Sequence, residues 1–257
     1  VKYSEYSRLI LALTAIGRDV TDAGGCNLLE KLSDYNSVIK QGINGPIFAL
    51  LAFDCGNYAV PRTAGVTVQT TRELLIDYIL DKEITDADGV KGGFSLSDDA
   101  PDADITGMVL QALSKYKNRP EVNAAIDRGL GALDRIQSAD GSFKTYGTEN
   151  SESIVQVIVA KSALDIDASC NVAALMKYFN SDGSIRHTIS GGADLMATEQ
   201  GLYALAAYER YINNKNSLYD MADMQAVNDD IKVTLNGRYL AFEQAPVNID
   251  GHILVPM

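Results

Sequence analysis

Apolar residues in this chain gather in five runs, each opening on a residue able to cap a helix and closing on a short polar break. The runs are Ser4-EYSRLILALTAIG, Asn44-GPIFALLAFDCG, Asp104-ITGMVLQALSKY, Ser151-ESIVQVIVAKSAL and Thr198-EQGLYALAAYERY, and the last two spacings are equal at 47 residues. Ser, Asn, Asp and Thr accept hydrogen bonds from the free N–H groups of a first helical turn, so Ser4, Asn44, Asp104, Ser151 and Thr198 are expected as N-caps. Each run is apolar over most of its circumference, which predicts burial on more than one side. The expected core includes Ile10, Leu13, Phe48, Leu51, Val109, Leu113, Val155, Ile158, Leu202 and Leu205.

Amphipathic segments lie between these runs: Asn27-LLEKLSDYNSVI, Thr70-TRELLIDYILD, Glu121-VNAAIDRGLGALDRIQ and Asn171-VAALMKYF. Buried and half-buried helices therefore alternate, and the economical arrangement is a double ring of at least nine helices, buried ones inside. The connections repeat too. Gly92-Gly93-Phe94, Asp140-Gly141-Ser142-Phe143 and Asp182-Gly183-Ser184-Ile185 each offer a glycine turn followed by a large apolar plug.

On these phrases the chain resembles the α/α toroid superfamily. Gln137-Ser138-Ala139-Asp140-Gly141-Ser142-Phe143 looks like the Q-x-x-x-G-x-aromatic motif of terpenoid cyclases, within the prenyltransferase and squalene-oxidase repeat. Lys40-QGINGPIFALLAFD, Pro101-DADITGMVLQAL, Glu149-NSESIVQVIVA and Met196-ATEQGLYAL resemble phrases of surface proteins of Gram-positive anaerobes that carry such repeats. The resemblance covers residues 3 to 220 and implies an all-α, six-hairpin toroid over residues 1–222. Five inner helices are visible, and the chain opens at Val1 inside a helical pattern, so the first hairpin is expected to be missing from this fragment. The same fold serves cyclases, protein prenyltransferases, thioester domains and corrinoid carriers, so fold alone does not give function.

The last stretch, Asp230-IKVTLNGRYLAFEQAPVNIDGHILVPM, changes period from 3.6 to two, with turn signals at Asn236-Gly237 and Asp250-Gly251. A β-hairpin or extended arm outside the ring is expected over residues 230–257. It resembles the opening of a copper amine oxidase N-terminal-like module, a structural unit of bacterial surface proteins without a copper site. That resemblance implies an extracellular or cell-surface location, with possible wall attachment.

Composition narrows the chemistry. Apolar residues at 46% and charged residues at 22% of 257 positions are a globular balance, and a formal charge of −12 argues against nucleic acid or anionic membranes as partners. No apolar stretch reaches the ~20 residues of a transmembrane helix. There is no tryptophan, and there are two histidines and three cysteines. Cys26, Cys55 and Cys170 form no metal-ligand pattern and are expected as small buried hydrophobes, with a single disulfide as the other possibility. Only His187 falls in the helical region, no zinc site is expected, and no cofactor is implied.

Asp102-Ala103-Asp104-Ile105-Thr106 matches the D-x-D-D-T of class II terpene cyclases at its first two acids, with Ile105 in place of the third. In that family the middle acid is protonated, so Asp104 is the catalytic candidate and Asp102 its partner if the protein is an enzyme. The competing reading makes Asp104 a helix cap. The acidic stretch from Asp77 to Asp104, including Asp86, Asp88, Asp98 and Asp99, offers calcium-type oxygens but lacks the spacing of an EF-hand, and reads as a solvated surface. Polar residues near the inner-helix starts (Tyr6, Asn44, Thr106, Asn150, Glu152, Glu199 and Gln200) should gather at one mouth of a ring, with Gln111, Gln156 and Tyr203 deeper and His187 beside it. They either cross-link neighbouring helices or line a ligand cavity. The expectation is a non-catalytic binding module for a small molecule, lipid, glycan or corrinoid. A cyclase-like or prenyl-transfer enzyme, and a structural spacer or adhesion domain, are the alternatives.

Overall fold

In the computed structural model, which describes residues 2–97, 100–145 and 147–224 and the backbone of four short strands beyond them, the chain is mainly helical. The α-helices are α1 (Tyr3–Ala15), α2 (Tyr35–Val38), α3 (Asn44–Cys55), α4 (Arg72–Asp81), α5 (Ala103–Leu113), α6 (Pro120–Ile136), α7 (Ser151–Ala163), α8 (Ser169–Met176) and α9 (Leu195–Ile212). Two antiparallel ribbons interrupt them: β1 (Lys144–Thr145) with β2 (Thr148–Glu149), and β3 (Ile185–Arg186) with β4 (Ala193–Asp194). Their registers pair Thr145 with Thr148 and Arg186 with Ala193.

The five apolar runs become the odd-numbered helices α1, α3, α5, α7 and α9, and these pack in sequence, each on the next. Helices α4, α6 and α8 lie against α3, α5 and α7 respectively. In α6, Val122, Ile126 and Leu133 are buried on one face, as the amphipathic pattern requires. The segment from Asn27 is broken instead into a 3₁₀ turn (Leu29–Leu32) and the four-residue α2, because Asp34 caps a new start by accepting from Asn36.

Burial is nearly complete where an odd helix has neighbours on both sides. In α7 eleven of thirteen residues are buried, whereas only four of the eighteen in α9 are. Helices α1 and α9 stand at the two ends of the packing order, so the expectation of all-round burial fails for them. Leu9 and Leu202 are exposed, the latter at 55%, while Leu13, Phe48 and Leu205 are only partly buried.

The helix starts also differ from the sequence reading. Asp102, Asn150 and Asp194 are the N-caps, their side chains accepting from Ile105 N at 2.7 Å, Ser153 N at 2.9 Å and Ala197 N at 2.8 Å. Asp104, Ser151 and Thr198 sit inside the first turns, and α1 and α3 begin without a side-chain cap. The reason is conformational: a cap must be extended, as Asp102 is at φ −115°, ψ 157°, and the backbone enters that state before the apolar run begins.

The glycine turns do what their sequence suggests. Gly141 has φ +86°, and a Cβ there would stand 2.7 Å from the Cys170 carbonyl oxygen. The plugs Phe94, Phe143 and Ile185 are fully buried. Thr106 and Thr198 lock two of these plugs in the same way. Thr106 Oγ1 accepts from Phe94 N at 2.9 Å and donates to Phe94 O at 3.0 Å; Thr198 Oγ1 accepts from Ile185 N at 2.9 Å.

Past the helices, β5 (Thr234–Leu235) pairs with β6 (Arg238–Tyr239), and β7 (Val247–Ile249) with β8 (His252–Leu254). These ladders bracket the two positions where the sequence places its turns. The remainder of the expected 230–257 arm lies outside the described residues.

Candidate functional site

Residues of all five odd helices line a cavity of about 840 Å³. Its wall follows one register. Asp104, Met108 and Gln111 of α5 line it at i, i+4 and i+7, as do Met196, Gln200 and Tyr203 of α9. Glu152 and Gln156 of α7, Phe48 and Leu51 of α3, and Arg8 and Leu11 of α1 supply the corresponding layers. One stripe of each helix thus faces the same hollow, and the first turns of α5, α7 and α9 meet at one mouth.

Two hairpin loops extend that mouth. The β1–β2 ribbon brings Thr145 and Thr148 to it, and the loop after β3 brings His187, whose carbonyl accepts from Ser151 N at 3.0 Å. At the far end, residues 217–220 cross the C-terminal ends of α3, α5 and α7, held by Met221 N donating to Cys55 O at 2.8 Å. Tyr219 from this segment closes the cavity floor, and a second hollow of about 150 Å³ lies beneath it. Burial pushes the Tyr219 hydroxyl up to about 12, against the lowering effect of nearby Arg8.

The floor carries a ladder of amides. Gln111 Nε2 donates to the carbonyl and side-chain oxygens of Gln156, both at 3.0 Å; Gln156 Nε2 donates to Gln200 Oε1 at 3.1 Å and to the Tyr203 hydroxyl at 2.7 Å. Helix α5 comes close enough for this because Gly107 faces α7, where a Cβ would lie 2.9 Å from the Gln156 carbonyl. These polar residues therefore both cross-link α5, α7 and α9 and line the cavity, which unites two readings the sequence left apart.

Acids gather at the mouth. Glu152 Oε2 bonds His187 Nδ1 at 2.8 Å and accepts from Ser151 Oγ at 3.1 Å, while Asp104 Oδ2 accepts from Thr145 Oγ1 at 3.3 Å. The second oxygens, Glu152 Oε1 and Asp104 Oδ1, are buried with no hydrogen-bond partner among the described residues. Burial raises the Asp104 carboxyl above the ordinary carboxylate range; the Glu152 charge adds to this, while hydroxyls of Ser153 and Thr145 and the His187 ring oppose it. Asp102 is pushed up to about 6, mainly by burial and further by the Asp104 charge, against the amide bond from Ile105.

Of the residues singled out from sequence, Asp104, Gln111, Asn150, Glu152, Gln156, His187, Glu199, Gln200 and Tyr203 line this cavity. Four do not. Tyr6 stacks edge-on against Tyr3 at 5.9 Å, Asn44 lies at the start of α3 off the cavity wall, Thr106 is turned to the Phe94 backbone, and Asp102 is occupied in capping α5. Sequence reasoning missed Arg8, Leu11, Phe48, Leu51, Met108, Thr145, Thr148, Met196 and Tyr219. The i, i+4, i+7 stripe through Asp104 would have found Met108, and the same stripe through Gln200 and Tyr203 would have found Met196.

Elsewhere, Cys55 is buried as expected, but Cys26 and Cys170 are exposed, and all three are free thiols. No group of three His, Cys, Asp or Glu among the described residues is disposed to hold a metal ion, and no described helix is long and apolar enough to cross a membrane. In the acidic stretch, Asp86 Oδ1 is engaged by the amides of Asp88 and Val90 in a turn, while Asp98 and Asp99 lie outside the described residues. Compared with protein-family models and with curated protein sequences, the chain matches none.

Proposed function

We propose that the chain is an α/α toroid of the prenyltransferase and squalene-oxidase repeat type acting as an extracellular or cell-surface binding module, without catalysis of its own. The observation that carries this is the hollow centre. A spacer is best served by a filled core, since packing density stabilises it, whereas about 840 Å³ lined by residues of five helices, polar at one mouth and floored by Tyr219, is the size of a small-molecule site. Location rests on the resemblance of residues 230–257 to a surface-protein module. The ligand is a small molecule or lipid that threads the mouth, with a glycan or corrinoid as other classes. Native mass spectrometry against a lipid, glycan and corrinoid panel tests this. Met108→Trp, which fills the wall, should abolish whatever adduct forms, and an adduct unaffected by it would place binding elsewhere.

One observation favours the cyclase-like alternative. Asp104 is not its helix's cap, faces the cavity and holds its proton more tightly than an ordinary carboxyl. Against it, stabilising a carbocation needs enclosing aromatic faces, and here Phe48, Tyr203 and Tyr219 are the aromatic residues on the described wall. Product formation from a polyprenyl substrate, lost in Asp104→Asn, would establish the enzyme reading.

A further inference from the structure

The polar groups of the cavity wall fall into two sets once their internal bonds are assigned. At the mouth, Asp104 Oδ1 and Glu152 Oε1 are sealed within the protein and so are not offered to an entering molecule. Arg8 and Glu199 differ. Both side chains are exposed, both line the cavity, and neither makes a hydrogen bond or an ion pair among the described residues. Arg8 comes from α1, where its guanidinium lies over the Phe48 ring at 5.0 Å, and Glu199 comes from α9. The charges of both reach the Tyr203 and Tyr219 hydroxyls, so both stand near the floor. Two amides of the floor ladder also have capacity left. Gln111 spends both N–H bonds on Gln156 and keeps Oε1 as an acceptor, while Gln200 Oε1 accepts twice and leaves the two Nε2 donors unspent.

A guest that satisfies this set supplies donors and acceptors together and carries no net charge. A hydrocarbon chain would take water from Arg8 and Glu199 and return nothing. An anion pairs with Arg8 but meets Glu199 as like charge, and a cation does the reverse. A small zwitterion pairs with both charges and is then spent, leaving the amides unserved. Hydroxyls on a saturated ring fit better. Each one both donates and accepts, and a neighbouring pair spans the fork of a carboxylate or of a guanidinium. The C–H face of such a ring packs on the electron-rich face of an aromatic side chain, and Tyr203 and Tyr219 supply aromatic rings at this depth. From Asp104 to Gln111 the wall descends about 10 Å at the rise of an α-helix, the length of two linked sugar rings.

We infer that the cavity takes a short neutral saccharide, its hydroxyls held by Arg8, Glu199, Gln111 and Gln200 and a ring face laid against Tyr219. This rests on the reading of the cavity as a ligand site and narrows that reading to one chemical class.

Five probes separate the possibilities: cellobiose, maltose, N,N′-diacetylchitobiose, octan-1-ol and the zwitterion γ-aminobutyrate, each titrated calorimetrically into the full chain near pH 7.5. At least one disaccharide should bind, tenfold or more tighter than the alcohol and the zwitterion, and saturation-transfer NMR should show its ring C–H protons in contact with the protein. Glu199→Ala and Arg8→Ala should each weaken that disaccharide at least fivefold. Both side chains are exposed and unbonded, so both variants should keep the parent's circular dichroism, and if one does not, the other decides. Alcohol or zwitterion binding as tightly as the best disaccharide would overturn the saccharide assignment and leave the ligand site standing. Disaccharide binding that neither substitution weakens would overturn the assignment as well, by placing the sugar elsewhere. If none of the five binds, the assignment and the site reading fall together.

Discussion

Asp102 performs two opposed tasks, and Asp102→Asn separates them. Its carboxylate caps α5 through a 2.7 Å bond from Ile105 N, yet burial and the Asp104 charge push it from an ordinary value near 3.8 up to about 6. Asn caps as well as Asp, so the substitution keeps the cap and removes the charge. A folded pKa above the unfolded one contributes stability that is complete below about pH 4 and lost as pH rises through about 6. From 3.8 to about 6, at 1.36 kcal/mol per unit, the loss reaches about 3 kcal/mol as a ceiling, and partial exposure of the carboxyl lowers it toward ~1–2 kcal/mol. Asp102→Asn does not titrate, so its stability should equal the parent's near pH 4 and exceed it by ~1–2 kcal/mol at pH 7.5. Asp102→Ala lacks both the charge and the cap, so it should lie about 0.5–2 kcal/mol below Asp102→Asn at every pH. Urea denaturation from pH 4 to pH 8 measures all three proteins. A gap between the parent and the Asn protein that stays constant with pH, or an Asn protein that falls below the parent as pH rises, would refute the reasoning.

Two further outcomes are expected. Thr106→Val should destabilise by ~1–3 kcal/mol, because it strands the buried Phe94 N–H, and Thr198→Val should behave alike at Ile185; Thr106→Ser should restore most of the loss on denaturant titration. Arg128→Ala should cost ~1–3 kcal/mol, since Arg128 forks both oxygens of the buried Glu83 at 2.6 Å; retention of Lys91 at 3.2 Å keeps the cost below that of a wholly orphaned acid, which Lys91→Ala added to Arg128→Ala would raise.

The helical class of the chain was readable because burial on both sides forces a long apolar run, and α3, α5 and α7 meet that condition. The same rule misjudged α9. Leu202 belongs to a run less apolar than α3 or α5, with Glu199, Gln200, Glu209 and Arg210 in it, and a run does not state whether a neighbour exists on its second side. The ribbons carrying Thr145 and His187 were invisible for a different reason: strands of two residues have no period to detect.

The caps failed more instructively. Asp104, Ser151 and Thr198 were aligned because each is a capping type at the head of an apolar run, which made the last two spacings equal. The true caps Asp102, Asn150 and Asp194 put Asp104, Glu152 and Met196 in equivalent places, each two residues into its helix and facing the cavity. Once the register moves, the site changes character. Asp104 leaves the role of a helix terminus, where its charge would be satisfied by amides, and becomes one of two wall carboxylates with an oxygen unspent. At the third equivalent place Met196 is thioether, not acid, so this layer of the wall is acidic on α5 and α7 and apolar on α9, whose Glu199 and Gln200 follow in the next turn. On the proposed binding function, that asymmetry matters more to recognition than the count of polar residues does, because it would give an entering molecule one orientation in which its donors meet acceptors and its hydrocarbon meets hydrocarbon.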